Sequence, residues 1–181
     1  MILSNYKTLF LDRDGVINTR LVDDYVKTWK EFEFIEGVLE SISIFSKEFD
    51  RIFIVTNQQG IGKGIMSEED LNKIHSRMIE EIEAKGGRID KIYFCKHLAK
   101  ENHIDRKPRV GMGLRARKDF REIRFKRSIM VGDSISDMKF GKRLKMKTVY
   151  ISSDINKTRK NFKLIDHRYN TLYEFAKQLN K

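Results

Sequence analysis

Short apolar runs recur along this chain between longer segments of helical period, and that alternation restricts the fold more than any other feature. Residues 8–11, 52–56, 89–95, 128–131 and 148–151 read as strands. Each lies at the start or end of a helical pattern, the signature of an α/β fold built on a parallel sheet. The clearest helix follows Ser67, a predicted N-cap, with Glu68, Glu69 and Asp70 placed to favour the helix dipole in its first turn. Leu71, Ile74, Met78 and Ile82 recur at spacings of three and four, and Gly86-Gly87 ends the pattern. Further helical patterns cover residues 37–49, 111–123, 135–144 and 171–179. The expected architecture is a Rossmann-like three-layer α/β sandwich with a central parallel sheet.

At 181 residues, with one proline, no internal repeat and no linker-like segment, the chain suits a single domain over 1–181. Apolar residues are 40% and charged residues 35%, as in a soluble globular protein. No apolar run is long enough to span a bilayer, so no membrane partner is expected. The start, from Met1 to Lys7, lacks the layout of a signal peptide, and the lone cysteine, Cys95, excludes an intrachain disulfide. These features predict a cytoplasmic location. The loop 18–35 is too short for a cap domain, which predicts an open site.

The formal charge is +11, and residues 100–147 hold 16 Lys/Arg against 6 Asp/Glu, a net of +10. A solvated basic face is the favoured reading, ahead of a field that draws in anionic substrates. Nucleic acid is disfavoured as a partner, because aromatic residues do not interleave with the basic ones as base stacking requires.

The chemistry gathers at the strand ends, where open parallel sheets bind ligands. The first strand runs into Asp12-Arg13-Asp14-Gly15. Two carboxylates this close must differ in pKa unless a cation neutralises them. Asp12 is then expected to stay ionised as ligand and nucleophile, and Asp14 to pass a proton to a leaving alkoxide and take one from water. The second strand ends in Thr56-Asn57, followed by Gln58-Gln59-Gly60-Ile61-Gly62-Lys63-Gly64. A hydroxyl and backbone N–H groups there suit phosphoryl oxygens, although the Walker pattern is absent. Arg106-Lys107-Pro108 offers a lysine to neutralise charge and an arginine to clamp a second anion. The fourth strand runs into Gly132-Asp133, with Asp137 four residues on. Asp133 could complete a Mg²⁺ site with Asp12. Taken singly these motifs also fit an aspartate-rich turn, a glycine-rich turn, a basic dipeptide and helix-terminal charge; their order along the chain is the specific signal.

That order resembles the haloacid dehalogenase superfamily of aspartate-based phosphatases, over nearly the whole chain. The resemblance implies Asp12 as nucleophile, Asp14 as acid and base, Thr56 and Lys107 as phosphate binders, and Mg²⁺ held by Asp12, the Asp14 carbonyl and Asp133, with Asp137 behind them. Within the superfamily the chain looks most like the capless heptose-1,7-bisphosphate 7-phosphatases and their relatives the histidinol-phosphate phosphatases. Tyr25-Val26, the segment from Phe32 to Val38, and the stretch from Thr56 to Gly64 are similar to the heptose enzymes. So are the segment from Ile92 to His97 and Arg106-Lys107-Pro108. The resemblance makes Asn57, Lys63 and Arg106 candidate substrate contacts.

Two departures stand out. Both relatives carry Cys-x-His followed by Cys-x-Cys around a structural zinc. Here Cys95-x-His97 is kept, and the second pair reads His103-Ile104-Asp105. Cys95, His97, His103 and Asp105 are all possible zinc ligands, against a loop that closes without zinc, the alternative favoured here because one carboxylate is unusual in a structural site. The second departure is Ser134, where the heptose enzymes commonly have a basic residue. The expected activity is hydrolysis of a small phosphorylated metabolite by a monomer. A heptose bisphosphate leads, histidinol phosphate is second and a nucleic-acid 3′-phosphate third. A non-catalytic sugar-phosphate binding module is the reading from another class, and it has no need of Asp14.

Overall fold

The computed structural model describes residues 5–179; Met1 to Ser4, part of the start read above for a signal peptide, lie outside them. Six parallel strands form one sheet: β1 (Thr8–Leu11), β2 (Arg51–Asn57), β3 (Lys91–Cys95), β4 (Ser128–Gly132), β5 (Lys147–Ile151) and β6 (His167–Tyr169). Their order is β3-β2-β1-β4-β5-β6. The chain therefore winds outward from β1 in one direction and from β4 in the other. β1 and β4 are neighbours, in register from Thr8 opposite Ser128 to Leu11 opposite Val131. The switch in winding opens a crevice beyond their carboxyl ends, where such sheets bind ligands.

Side-chain alternation divides the core into two layers. Leu9, Leu11, Ile52, Ile54, Ile129 and Val131 face one side. There they meet α1 (Val38–Glu48), α3 (Glu68–Ala84) and α7 (Leu172–Lys177) through Ile42, Phe45, Leu71, Met78 and Phe175. Phe10, Phe53, Val55 and Met130 face the other side, against Met112 and Ala116 of α4 (Gly111–Asp119) and Phe140 of α5 (Ile135–Arg143). Each of these fully buried large side chains contributes about 1.5–3 kcal/mol of transfer free energy. The central strands are apolar on both faces because helices cover both, which is why they read as continuous runs.

The five predicted strands all form, and β3 starts two residues later than expected. β6 and α6 (Ile155–Lys160) were not anticipated; a three-residue edge strand, half-buried throughout, offers little periodic signal. The helix expected over 111–123 stops at Asp119, because Phe120 leaves the helix to pack on Phe53. Ser67 caps α3 as expected, in a capping box with Asp70. The glycine-rich stretch after β2 contains a single helical turn, α2 (Gln59–Gly62). The loop 18–35 is held against the core layer of α1 and α3 by Trp29, Phe32 and Phe34, whose rings pack 4.9–6.3 Å apart. No helix among the described residues is long and apolar enough to cross a membrane.

Candidate active site

Residues from four strand ends converge in a pocket of about 260 Å³ lined by Asp12, Asp14, Thr56, Asn57, Lys107 and Asp137, among others. Lys107 sits at its floor, almost fully buried. Its ammonium lies 2.7 Å from Asp12 Oδ1 and 2.6 Å from Asp137 Oδ1. The charges of both carboxylates outweigh the effect of burial and hold the lysine protonated. The lysine reaches this spot because Asn57, the last residue of β2, grips its backbone. Asn57 Oδ1 accepts from the Lys107 N–H at 3.0 Å, and its Nδ2 donates to the Lys107 carbonyl at 3.1 Å. Both ends of the Asn57 amide are thereby used, and its contact is with the lysine loop.

Asp137 is fully buried and serves twice. Its Oδ2 accepts from the Ser134 hydroxyl at 2.6 Å and backbone N–H at 3.1 Å, closing the capping box of α5, while its Oδ1 faces Lys107. Ser134, the departure from the heptose enzymes, is the N-cap. Gly132 makes this approach possible, since a Cβ there would run into the Asp137 side chain.

Asp14 is held by a different set of donors. Arg13 reaches its Oδ1 with Nη2 at 2.8 Å, Asn18 Nδ2 reaches the same oxygen at 3.1 Å, and Gln58 Nε2 reaches Oδ2 at 2.8 Å. Gln58 also donates to Thr56 Oγ1 at 2.9 Å. Burial would raise the Asp14 pKa, but the charge and hydrogen bonds of Arg13, with those of Asn18 and Gln58, outweigh it and hold the carboxyl below its usual range. Asp12 moves the other way. Burial and the neighbouring Asp137 charge, opposed by Lys107, push it up to about 7. Asp133 rises to about 6, mainly by burial. The sequence reading expected Asp12 to be the ionised member of the pair; in the protein alone, the environment favours ionisation at Asp14.

The Arg13 guanidinium, itself buried, has one further partner: Nη1 lies 3.2 Å from His75 Nε2. His75 belongs to α3 and is buried. It is the neutral acceptor that completes the Arg13 fork, and burial, then Arg13, depress its pKa to about 3. Between pH 6.5 and 3 the unfolded chain takes up a proton that the folded chain refuses, so stability falls as the pH falls through that window. From pH 7 to pH 5 the expected loss is about 2 kcal/mol. His75→Gln keeps an acceptor for Arg13 and removes the titration, so its urea midpoint should fall less than that of wild type over the same interval. Equal acid sensitivity in the two proteins would contradict this role.

Three oxygens converge on one point. Arg20 Nη2 donates to the Asp14 carbonyl at 2.7 Å and to Asp133 Oδ1 at 2.8 Å, and lies 3.7 Å from Asp12 Oδ2. Gly15 lets the Asp133 carboxylate come close: its φ is +91°, and a Cβ would collide with that carboxylate. Asp12, Asp133 and Asp137 together can offer oxygens within 4.8 Å of one another. Such crowding of carboxylates requires positive charge. A guanidinium satisfies it here, and an all-oxygen donor set of this kind equally fits a hard divalent cation.

The sequence matches, over residues 7–176, the family described as polynucleotide kinase 3 phosphatase. The chain belongs to this family, a capless branch of the haloacid dehalogenase phosphatases. It is 40% identical over 151 residues to the D-glycero-alpha-D-manno-heptose-1,7-bisphosphate 7-phosphatase of Campylobacter jejuni, covering 83% of this chain and 85% of that one. It is 37% identical over 148 residues to the beta-anomer enzyme of Helicobacter pylori, covering 81% and 83%. The D,D-heptose 1,7-bisphosphate phosphatase of B. bronchiseptica, solved with magnesium and phosphate, superposes with a TM-score of 0.84 over 96% of this chain and 98% of that one at 26% identity.

Within this haloacid dehalogenase site, Asp12, Asp14, Thr56, Lys107, Asp133 and Asp137 come together as the motifs suggested. Lys63 does not join them; it is exposed, with its ammonium 5.1 Å from the centre of the Tyr25 ring. Arg106 lines an adjoining cavity of about 600 Å³ with Arg109 and Arg143, and donates to the His97 carbonyl at 3.2 Å. The zinc candidates find separate partners. His97 Nδ1 is 2.6 Å from Glu101, His103 Nδ1 accepts from the Asp105 N–H at 3.2 Å, and Asp105 pairs with Arg115 at 3.0 Å. The two histidine rings stack 3.6 Å apart. Cys95 is buried in the apolar layer with Phe53 and Tyr93, where burial raises its thiol pKa. Among the described residues, these four do not bring three ligand atoms together as Asp12, Asp133 and Asp137 do. Sequence reasoning missed Arg20, Gln58, Asn18 and His75. Gln58 lay inside the stretch quoted after the second strand, whereas Asn18 and Arg20 sit at the start of the loop 18–35, where no periodic or motif signal marks them.

Proposed function

We propose that the chain is a magnesium-dependent phosphatase that removes the 7-phosphate of a D-glycero-D-manno-heptose 1,7-bisphosphate through an aspartyl-phosphate on Asp12. One observation carries the chemistry: Asp12 Oδ1 faces the buried Lys107 ammonium, while Oδ2 faces the point where the Asp14 carbonyl and Asp133 converge. The two oxygens thus have two roles. Oδ1 attacks phosphorus in line as the bond to the leaving alkoxide breaks. Asp14 gives its proton to that alkoxide and then takes one from the water that cleaves the acyl phosphate. The arriving phosphate dianion raises the Asp14 pKa by like-charge repulsion, opposing the donors that lower it. Lys107 stabilises charge on the transferring group, and the Thr56 hydroxyl, already accepting from Gln58, has its proton free to donate to a phosphoryl oxygen. Asp12 Oδ2, the Asp14 carbonyl and Asp133 Oδ1 would hold Mg²⁺, which supplies positive charge to the carboxylates and phosphoryl oxygens. Asp137 orients Lys107, and Asn57 acts through the same lysine.

The relatives' substrates support a heptose bisphosphate. The cavity beside Lys107 supports a second anionic group, with Arg106 its leading contact and Arg109 beside it. The reading is of a single-domain monomer acting on a small cytoplasmic metabolite. The test is phosphate release with Mg²⁺ from heptose 1,7-bisphosphates of both anomers, histidinol phosphate and a 3′-phosphorylated oligonucleotide. The heptose is expected to lead by about a hundredfold or more in kcat/KM, about 2.7 kcal/mol of transition-state discrimination. A preference for either of the other two would move the enzyme to a different pathway.

A further inference from the structure

We propose that Arg20 is a built-in competitor for the divalent cation: its guanidinium closes the metal site in the metal-free protein and must swing out for the ion to enter. The inference rests on the magnesium reading above and adds a residue to which that reading gives no part. The same three oxygens that would ligate the ion, Asp14 O, Asp133 Oδ1 and Asp12 Oδ2, are the ones grouped around Arg20 Nη2. Arg20 Nε also reaches the Asp14 carbonyl, at 3.2 Å. An ion needs its oxygens at about 2.0–2.1 Å. At that range from Asp14 O and Asp133 Oδ1 it would overlap a nitrogen 2.7–2.8 Å from both, with charge repulsion added. Occupancy is therefore exclusive.

Exchange is feasible because the arginine belongs to the loop rather than to the floor. Its side chain is 49% exposed, whereas those of Lys107 and Asp137 are 2% and 0% exposed. Arg20 can rotate into solvent without moving a strand, and Lys107 cannot. The metal-free protein gains from the contact, since Asp12, Asp133 and Asp137 would otherwise rely on Lys107 alone for positive charge. Apparent metal affinity is then reduced by the fraction of molecules in which Arg20 is away from the site.

The experiment is Mg²⁺ titration calorimetry and thermal unfolding of wild type, Arg20→Ala and Arg20→Lys, each prepared with EDTA and dialysed free of it. Arg20→Ala is expected to bind Mg²⁺ about tenfold more tightly, to melt lower than wild type without metal, and to gain more from saturating Mg²⁺. Arg20→Lys, a shorter and more strongly hydrated cation, should fall between the two. Equal Mg²⁺ affinities with equal metal-free melting temperatures would overturn the role of Arg20 while leaving the magnesium reading intact. Weaker binding by Arg20→Ala would also overturn it, making the arginine a support of the site. Absence of Mg²⁺ binding in all three proteins would remove the magnesium reading itself.

Discussion

Asp12→Asn is expected to lower phosphate release by at least about 10⁴-fold, about 5 kcal/mol or more of lost transition-state stabilisation, while the protein stays folded. The amide is close to isosteric and can still accept the Arg13 N–H that Asp12 Oδ1 accepts at 2.8 Å. It cannot form the acyl phosphate. Burial first, and the Asp137 charge second, push Asp12 up to about 7; a neutral amide carries neither cost, so no large loss of stability should accompany the loss of activity. A variant that keeps a tenth of the wild-type rate would mean that water attacks phosphorus directly, with Asp12 serving only as a ligand.

Lys107→Met should produce the largest stability effect of any single change in the site. The methionine fills a similar volume and removes the ammonium that lies between Asp12 and Asp137. Burial lowers the Lys107 pKa, but the charges of Asp12 and Asp137 outweigh it, so the residue is charged in the folded protein. Breaking a buried pair by deleting one partner costs about 3–5 kcal/mol, because the other charge is left uncompensated. In a chain of this size that corresponds to a drop of roughly 6–20 °C in Tm. Mg²⁺ should restore part of the loss, since a cation would again neutralise Asp12, whereas Asp137 would remain without its partner. Urea unfolding with and without Mg²⁺ measures both effects. A variant within 1 kcal/mol of wild type would show that these carboxylates shed their charge by taking up a proton instead.

The sheet and the site differ in how much of each could be read from the residues. Strands such as β1 and β4 are apolar on both faces, and their boundaries at Asp12 and Asp133 are marked by the first charged residue after the run. Motif order alone pointed to Asp12, Thr56, Lys107 and Asp133 as a group, and the fold brings them to the same end of the sheet. What remained hidden depends on distance in the fold rather than along the chain. His75 meets Arg13 across 62 positions, and Arg20 meets Asp133 across 113; neither contact leaves a local pattern. The pKa order of Asp12 and Asp14 was hidden for the same reason. Sequence shows two nearby acids, but the donors that select between them are Arg13, Asn18 and Gln58, with His75 of α3 accepting from the arginine. Asn57 was legible as a site residue, and its grip on the Lys107 backbone was not.

The covalent step is the centre of this account, and trapping tests it most directly. Enzyme turning over a heptose 1,7-bisphosphate with Mg²⁺ should be quenched into borohydride, digested and sequenced by mass spectrometry. Hydride reduces an acyl phosphate to an alcohol, so the account predicts homoserine at position 12 in wild type, dependent on substrate and absent without Mg²⁺. Rapid phosphate release with unmodified Asp12 at every quench time, or homoserine at position 14 instead, would contradict it.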